Sequence, residues 1–493
     1  MGILQATAGV ALLYVVTKII YNVFFHPLAR YNGPWLWSAF QFTSLAVMLG
    51  GTLPYRIKQL HDQYGPIVRI GPNELSITDE RAWKGIFLRR DFLRPPQWGA
   101  RPPGVDAHNL ISAPADVHAR FRKAFAPAFS EKALFGYEPL IREYFDKLLD
   151  RLESKSTTTV DIVEWLNFTT FDIIGELCWG RSFGCLDSGK GHAFIDILLH
   201  FKAALIGTVI KHYPAIDALV PYITPKSALT MLHNVFSTGH QRIQERILCE
   251  DESRKPDILS HVLQYNKSNP ASSNLSEGEV EFNALTMIIA GSETLTSALS
   301  GALHNLLSHP QACKALTSEL RSSFKTEKDI TASTLTTLPY LNAVLNETLR
   351  LCPPFPDNLR RTVPKGGATV AGHSFSEGTV LGVSCWSVFQ SEEHFSDPTL
   401  FLPERWLSTS DAISNHNVRA FYPFSLGPHG CIGQSLAWLE LRLLLALVLF
   451  RFDLEFVTDR GEGKAKELWS WNEQKVYWTW EKMPLLVRFN QRV

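Results

Sequence analysis

The segment Phe424 to Gly433 reads FSLGPHGCIG and runs at once into the apolar stretch QSLAWLELRLLLALVLF. Two glycines and a proline bend the chain before Cys431, and the run that follows predicts a helix over residues 431–449. At a helix start, free amide groups and the dipole favour a thiolate, so Cys431 is a candidate permanent anionic ligand. Gly427 and Gly433 let backbone pass close to a planar group, and Phe424 can pack beside it. A buried free cysteine is the plainer alternative, because His429 alone does not complete a zinc site with Cys431.

Upstream, residues 279–307 hold a nearly continuous apolar run, MIIAGSETLTSALSGALHNLL, too long for a strand. Its polar interruptions are ones a lipid-facing span would avoid, so it predicts a buried helix through a large core. Within it Ala290 and Gly291 open room on one side, and Thr294 can bond a carbonyl one turn back. An unpaired core carboxylate is costly, so Glu293 calls for a role; acid and hydroxyl together suggest proton delivery. Simple packing of a Ser/Thr-rich face is the alternative. Further along, NETLR sets Glu347 and Arg350 three apart on one helix face. Apolar and proline-rich flanks imply burial there and a third partner, for which Arg405 in PERW is the natural candidate.

The 493 residues carry 48 basic and 48 acidic side chains, which excludes a polybasic binder of nucleic acid. A 45% hydrophobic composition with 30 Phe and 13 Trp excludes wholesale disorder. Seven cysteines in so long a chain form neither a disulfide scaffold nor a C-x-x-C pair. Ile3 to Phe25 is apolar with the single charge Lys18, long enough as a helix to cross a bilayer and unlike a cleaved signal. Arg30, Arg56 and Lys58 then favour a cytosolic body, which would leave the Asn167 and Asn266 sequons unglycosylated. Trp35, Trp37 and Phe40 suit either a headgroup layer or the underside of a domain.

Elsewhere, residues 67–78 predict a hairpin, residues 101–114 a long loop, and residues 266–278 a flexible connection. Helices are expected over 115–129, 137–153, 161–178 and 226–249, and strands in 365–383, 452–456 and 477–489.

Taken together, FSLGPHGCIG, ETLR, PERW and AGSET, in that family's order and at compatible separations, resemble the cytochrome P450 superfamily of haem-thiolate monooxygenases. The resemblance covers essentially the whole chain and implies a mainly α fold with smaller β-sheets. It divides the chain into an anchor (1–25), a hinge and membrane-proximal segment (26–50) and a catalytic domain (51–493). It makes Cys431 the haem iron's axial thiolate and Glu347, Arg350 and Arg405 a structural triad. Thr294 and Glu293 become the proton relay for oxygen activation. His118, Arg122, Arg361 and His429 fall at propionate-contacting positions, with Phe424 beside the haem. His429 is the clearest departure, because that position is usually Arg, and Asn32 is a milder one in the hinge.

The HPLARY start, HARFRKAFAPAFS and FSLGPHGCIGQSLAW are similar to fungal microsomal members near the trichothecene (isotrichodermin-type) hydroxylases. That implies a single-pass endoplasmic reticulum protein with its catalytic domain in the cytosol. It also implies haem b, and NADPH used indirectly through a separate NADPH-cytochrome P450 reductase, with cytochrome b5 as a further candidate donor. Arg122 and Lys123 would meet the reductase's acidic surface. The expected substrate is an apolar terpenoid, polyketide or cyclic-peptide-like metabolite that is hydroxylated or epoxidised. Its pocket is expected from residues 101–112, 201–213, Ala290 and Phe355 to Leu359. Radical coupling of an aromatic or indole metabolite is the alternative outcome, and a haem carrier or sensor the non-enzymatic one.

Overall fold

The computed structural model describes residues 2–99, 101, 105–156, 158–192, 201–248, 257–407, 416–457 and 470–492. Helix α1 (Gly2–Ile20) stands apart at the amino end, and the helices that frame the interior are α2 (Arg81–Phe87), α3 (Ala115–Phe125), α4 (Glu131–Glu153), α5 (Ile162–Trp179), α6 (Lys226–Leu248), α7 (Ile258–Ser268), α8 (Glu277–Ser308), α9 (Pro310–Ser323), α10 (Pro339–Leu351), α11 (Cys385–Phe389) and α12 (Gln434–Arg451). Strands β1 (Ile67–Gly71), β2 (Glu74–Ile77), β4 (Asn358–Thr362) and β7 (Val380–Ser384) form one sheet in the order β1-β2-β7-β4. β2 and β7 are parallel and the other neighbours antiparallel. Smaller sheets pair β5 (Ala368–Val370) with β6 (His373–Phe375), and β3 (Val160–Asp161) and β8 (Phe452–Phe456) with β11 (Leu486–Gln491). β9 (Val476–Tyr477) pairs with β10 (Thr479–Trp480).

α8 is the axis of the core. A capping box between Ser276 and Glu279 starts it, and its 32 residues span about 48 Å at the usual rise. α5 packs along it through Ile174 against Gly291, where a methyl group would already crowd the isoleucine. Thr170 and Thr296 share a 2.9 Å hydrogen bond across the same contact. The small residues of AGSETLT therefore serve helix packing as well as the cavity: Gly291 makes its room for Ile174.

Several boundaries move from their sequence expectations for local reasons. The helix expected from Tyr137 begins at Glu131, because Ser130 caps it by accepting the Ala133 amide. The helix from Ala115 tightens into a 3₁₀ turn over Ala126–Phe129, where Pro127 removes a backbone donor. Helix α12 starts at Gln434, so Cys431 lies three residues outside it. The expected end of α6 at Cys249, like residues 102–104 of the long loop, falls outside the described residues. The segment 266–278 is an ordered connection. The Asn266 side chain exchanges two 3.0 Å bonds with the Leu275 backbone, and Arg120 reaches the Asn274 carbonyl at 2.6 Å.

At the amino end, α1 and the π-helical turn Tyr21–Phe25 contain a 21-residue stretch, Gln5–Phe25, of mean hydropathy 1.8. It is long and apolar enough to cross a membrane, and only 6% of it is buried in the protein. Trp37 fills a satellite core with Leu45, Met48 and Ile57, whereas Trp35 stands 64% exposed. Trp37 thus takes the second of the two surroundings expected, the underside of the domain.

Candidate active site

Two helical stripes face each other across a cavity of about 300 Å³. From α8 come Met287, Ala290, Thr294, Leu295 and Ala298, and from α12 with its leading loop come Cys431, Gly433, Leu436, Ala437 and Glu440. Within the helices, spacing of three and four puts the lining residues on one face. Phe355 and Leu359 close one side and Phe424 another. No described residue of 101–112 or 201–213 lines this cavity. Asn109 and Leu110 are bonded instead to Thr286 and Asn283 of α8, and Leu205 is buried in the satellite core with Trp37.

The loop before α12 is folded so that Cys431 faces this cavity. Gly427 has φ +68° and lies so close to α2 that a Cβ would overlap the Phe87 carbonyl. At Gly427 this close approach is to the backbone of α2. The Gly430 amide bonds the Gly427 carbonyl, and the Cys431 amide bonds the Phe424 carbonyl, both at 2.9 Å. The Phe424 ring lies 5.9 Å from that of Trp438. Cys431 has accessible surface toward the cavity yet is otherwise enclosed, and burial pushes its thiol above the ordinary value. The Gly433 amide and the Arg122 charge oppose that rise without cancelling it. The helix start therefore does not ionise this sulfur by itself; a coordinated cation would.

On the opposite wall the Thr294 hydroxyl donates to the Ala290 carbonyl at 2.6 Å. Glu293, its neighbour, does not line the cavity. Its carboxylate lies 2.6 Å from the Lys482 ammonium, in a pair whose side chains are 4% and 6% exposed. Adjacent helix positions point about 100° apart, so Glu293 meets the loop between β10 and β11 through Oε2, while its Oε1 is buried without a partner.

His118, Arg122, Arg361 and His429 are brought to the same end of the cavity, together with Arg94, which sequence reasoning missed. Arg94 sits in an irregular stretch, DFLRPP, whose only signal was an arginine before two prolines. The His118 and His429 rings are 3.9 Å apart. Among the described residues none of the five has an acidic partner; Arg94, Arg122 and Arg361 donate to the carbonyls of Ile111, Gly430 and Arg360. Burial, reinforced by Arg94, holds the Arg361 guanidinium down at about 9, and burial holds Arg94 at about 10. Burial and the surrounding cations push His118 down to about 4 and His429 to about 2. The Nδ1 of His429 is buried with no partner. Orphaned donors and unpaired cations at the mouth of an apolar slot, with a thiol on its floor, fit a planar dicarboxylate held through a soft metal–sulfur bond.

Beneath the site Glu347 joins Arg350 at 2.8 Å and Arg405 at 3.0 Å, all three side chains fully buried. The Trp406 indole and the Leu402 amide complete the carboxylate's bonds, and Arg350 ties down the carbonyls of Phe389, Pro398 and Leu400. Burial alone would raise the Glu347 carboxyl, but the two guanidiniums hold it below its usual range.

Comparison with known proteins agrees with this geometry. The chain is 35% identical to the cytochrome P450 monooxygenase lcsI of Purpureocillium lilacinum, over 97% of this chain and 92% of that protein. It is 36% identical to the monooxygenase aclL of Aspergillus oryzae, over 97% and 96%. It is 35% identical to the trichothecene C-15 hydroxylase of Fusarium sporotrichioides, over 98% and 97%. The cytochrome P450 family pattern matches residues 27–480, and the chain belongs to that family, as a haem-thiolate monooxygenase of mainly helical fold.

Proposed function

We propose that this monooxygenase hydroxylates or epoxidises an apolar secondary metabolite at the cavity between α8 and α12. The observation that carries the reading is the placement of Cys431 and Thr294 on opposite walls of one apolar cavity. Haem, when bound, supplies the activation of O2. Cys431 would hold its iron from below, and Arg94, Arg122, Arg361, His118 and His429 would receive its carboxylates. Thr294 offers a hydroxyl proton above, anchored to the Ala290 carbonyl. Ala290, Met287, Phe355 and Leu359 exclude water and orient the substrate by apolar contact. Glu347, Arg350 and Arg405 hold the chain beneath the site.

The rest of the reading follows from the family. Residues 1–25 anchor the chain in the endoplasmic reticulum membrane, 26–50 form the hinge, and 51–493 the cytosolic catalytic domain. Electrons come from NADPH through a membrane-bound reductase, with cytochrome b5 as a second donor. The trichothecene hydroxylase among the relatives makes a terpenoid the first class of substrate to test. Purified protein, reductase and candidate metabolites under ¹⁸O-labelled O2 decide the matter. Label in the product supports oxygen insertion, and coupled products without label overturn it. Cys431→Ser should abolish the thiolate-type absorption band of the reduced carbon monoxide complex.

A further inference from the structure

The solvent side of the contact between α6 and α8 carries side chains that the chemistry of the cavity does not use. α6 packs on the first turns of α8. The Phe236 and Phe282 rings are 5.8 Å apart, and Gly239 lies so close that an added Cβ would meet a Leu285 methyl at 3.4 Å. That packing carries His240, the next residue of α6, over α8, where its Nδ1 is 2.5 Å from the Glu281 carboxylate. Glu277 stands one turn before Glu281 on the same face of α8. One donor atom from each of the three, an imidazole nitrogen and two carboxylate oxygens, lies within 4.8 Å of the other two.

The composition, charge and size of this set fit a cation. Two carboxylates alone would only complement the start of α8; the imidazole brought from a second helix adds the nitrogen that a transition metal prefers. Among the described residues the only ion-pair partner of either carboxylate is His240, so two negative charges face one imidazole. A tetrahedral ion with bonds of about 2.0–2.2 Å spaces its donors about 3.3–3.6 Å apart. That spacing falls between the 2.5 Å of the His240–Glu281 pair and the 4.8 Å limit of the set. His240 and Glu277 are exposed, so rotation of their side chains closes the difference and solvent reaches the site.

We propose that His240, Glu277 and Glu281 bind a divalent transition metal of the zinc class, which clamps α6 to the first turns of α8. The ion takes the imidazole Nδ1 and one oxygen from each carboxylate and keeps water in its remaining position. Mg2+ competes poorly, because it favours an octahedron of oxygens. α8 continues from these turns to Met287 and Ala290 of the cavity wall, so the clamp fixes α6 against the helix that forms that wall. The inference does not depend on the reading of Cys431 and Thr294.

The test uses the full-length, haem-loaded chain without an affinity tag, freed of metal by a chelator. Calorimetric titration with ZnCl2 should show one equivalent bound, which excess Mg2+ does not displace. His240→Ala and Glu281→Gln, on different helices, should each weaken that binding by about tenfold or more, at least the cost of losing an outer partner of a metal ligand. Hydrogen exchange of the α6 amides should slow when zinc is added to the wild type and stay unchanged when it is added to either variant. The haem absorption spectrum shows which variants are folded, and one folded variant suffices. A wild type that binds no zinc, or an affinity unchanged in a folded variant, overturns the site. Displacement by Mg2+ overturns the metal class, and zinc binding that leaves α6 exchange unaltered overturns the clamp.

Discussion

The rings of His118 and His429 face each other at 3.9 Å between centroids, tilted by 37°. They stand among Arg94, Arg122 and Arg361, and burial with those charges holds both imidazoles neutral. The site thus reserves its fixed positive charge for the three guanidiniums. His429 contributes a neutral, unpartnered nitrogen where a fourth permanent cation would otherwise stand.

Replacing that nitrogen by a guanidinium has opposite effects on the two forms of the protein. In His429→Arg the haem-free chain gains a cation among unpaired cations, and its thermal midpoint should fall. The haem-loaded form gains a charged donor to a carboxylate, a contribution of about 1.5–3 kcal/mol. Haem transfer to excess apomyoglobin should slow by about tenfold or more. Equal transfer rates would show that His429 does not face a propionate.

The Glu347 cluster should respond to the loss of its acid more than to any exposed ion pair. Glu347→Ala leaves Arg350 and Arg405 buried without a counter-charge, at a cost of about 3–5 kcal/mol. The soluble yield and the haem-to-protein ratio should both collapse. Because the folded carboxyl is held below its usual range, its contribution is present above that range and is lost as pH falls through the lowered value. Acid titration of the denaturant midpoint in wild type and Glu347→Gln measures it, and superimposable curves would refute it.

How much of this was legible in the sequence depended on how local each signal is. Cys431, Glu347 with Arg350, and Thr294 announced themselves because bends, helix spacing and apolar flanks are local properties. Arg405 followed from the need of a buried pair for a third partner. The ion pair of Glu293 was not legible because its partner, Lys482, arrives from a loop 189 residues away. Arg94 and Glu440 were missed for a related reason. One lies in an irregular loop, and the other reads as one charge in a Leu-rich helix until α8 is seen to face it. The contacts of Asn109 and Leu110 with α8, and of Leu205 with the core around Trp37, were not legible because helix and loop periodicity do not say which neighbour a face will meet.

Gly427 is the backbone position at which the Cys431 loop and α2 meet. Its φ of +68° already disfavours a side chain, and any Cβ would overlap the Phe87 carbonyl. Gly427→Ala should destabilise the protein by about 1–3 kcal/mol from backbone strain alone, before the clash is counted. The displaced loop should bind haem in a mixture of states. The ratio of thiolate-type to nitrogen-type or thiol-type carbon monoxide absorption reads this out, and a wild-type spectrum with wild-type stability would contradict the close approach.

Glu440 gives the folded protein a pH dependence of opposite sign to that of Glu347. Burial raises its folded value to about 8 from an ordinary 4.5. Below 4.5 the group is neutral in both states and imposes no penalty. As pH rises from there, the unfolded chain ionises while the folded chain keeps its proton, so unfolding releases a proton and stability falls. The loss levels off above pH 8 and amounts to something on the order of 5 kcal/mol. Glu440→Gln removes the titration and keeps the shape. Its denaturant midpoint relative to wild type should therefore climb between pH 5 and 8 and then stay constant. The carbon monoxide band followed alongside would show that both proteins remain haem-loaded. A difference that is flat across that range would mean the carboxyl is solvated or paired in the folded state.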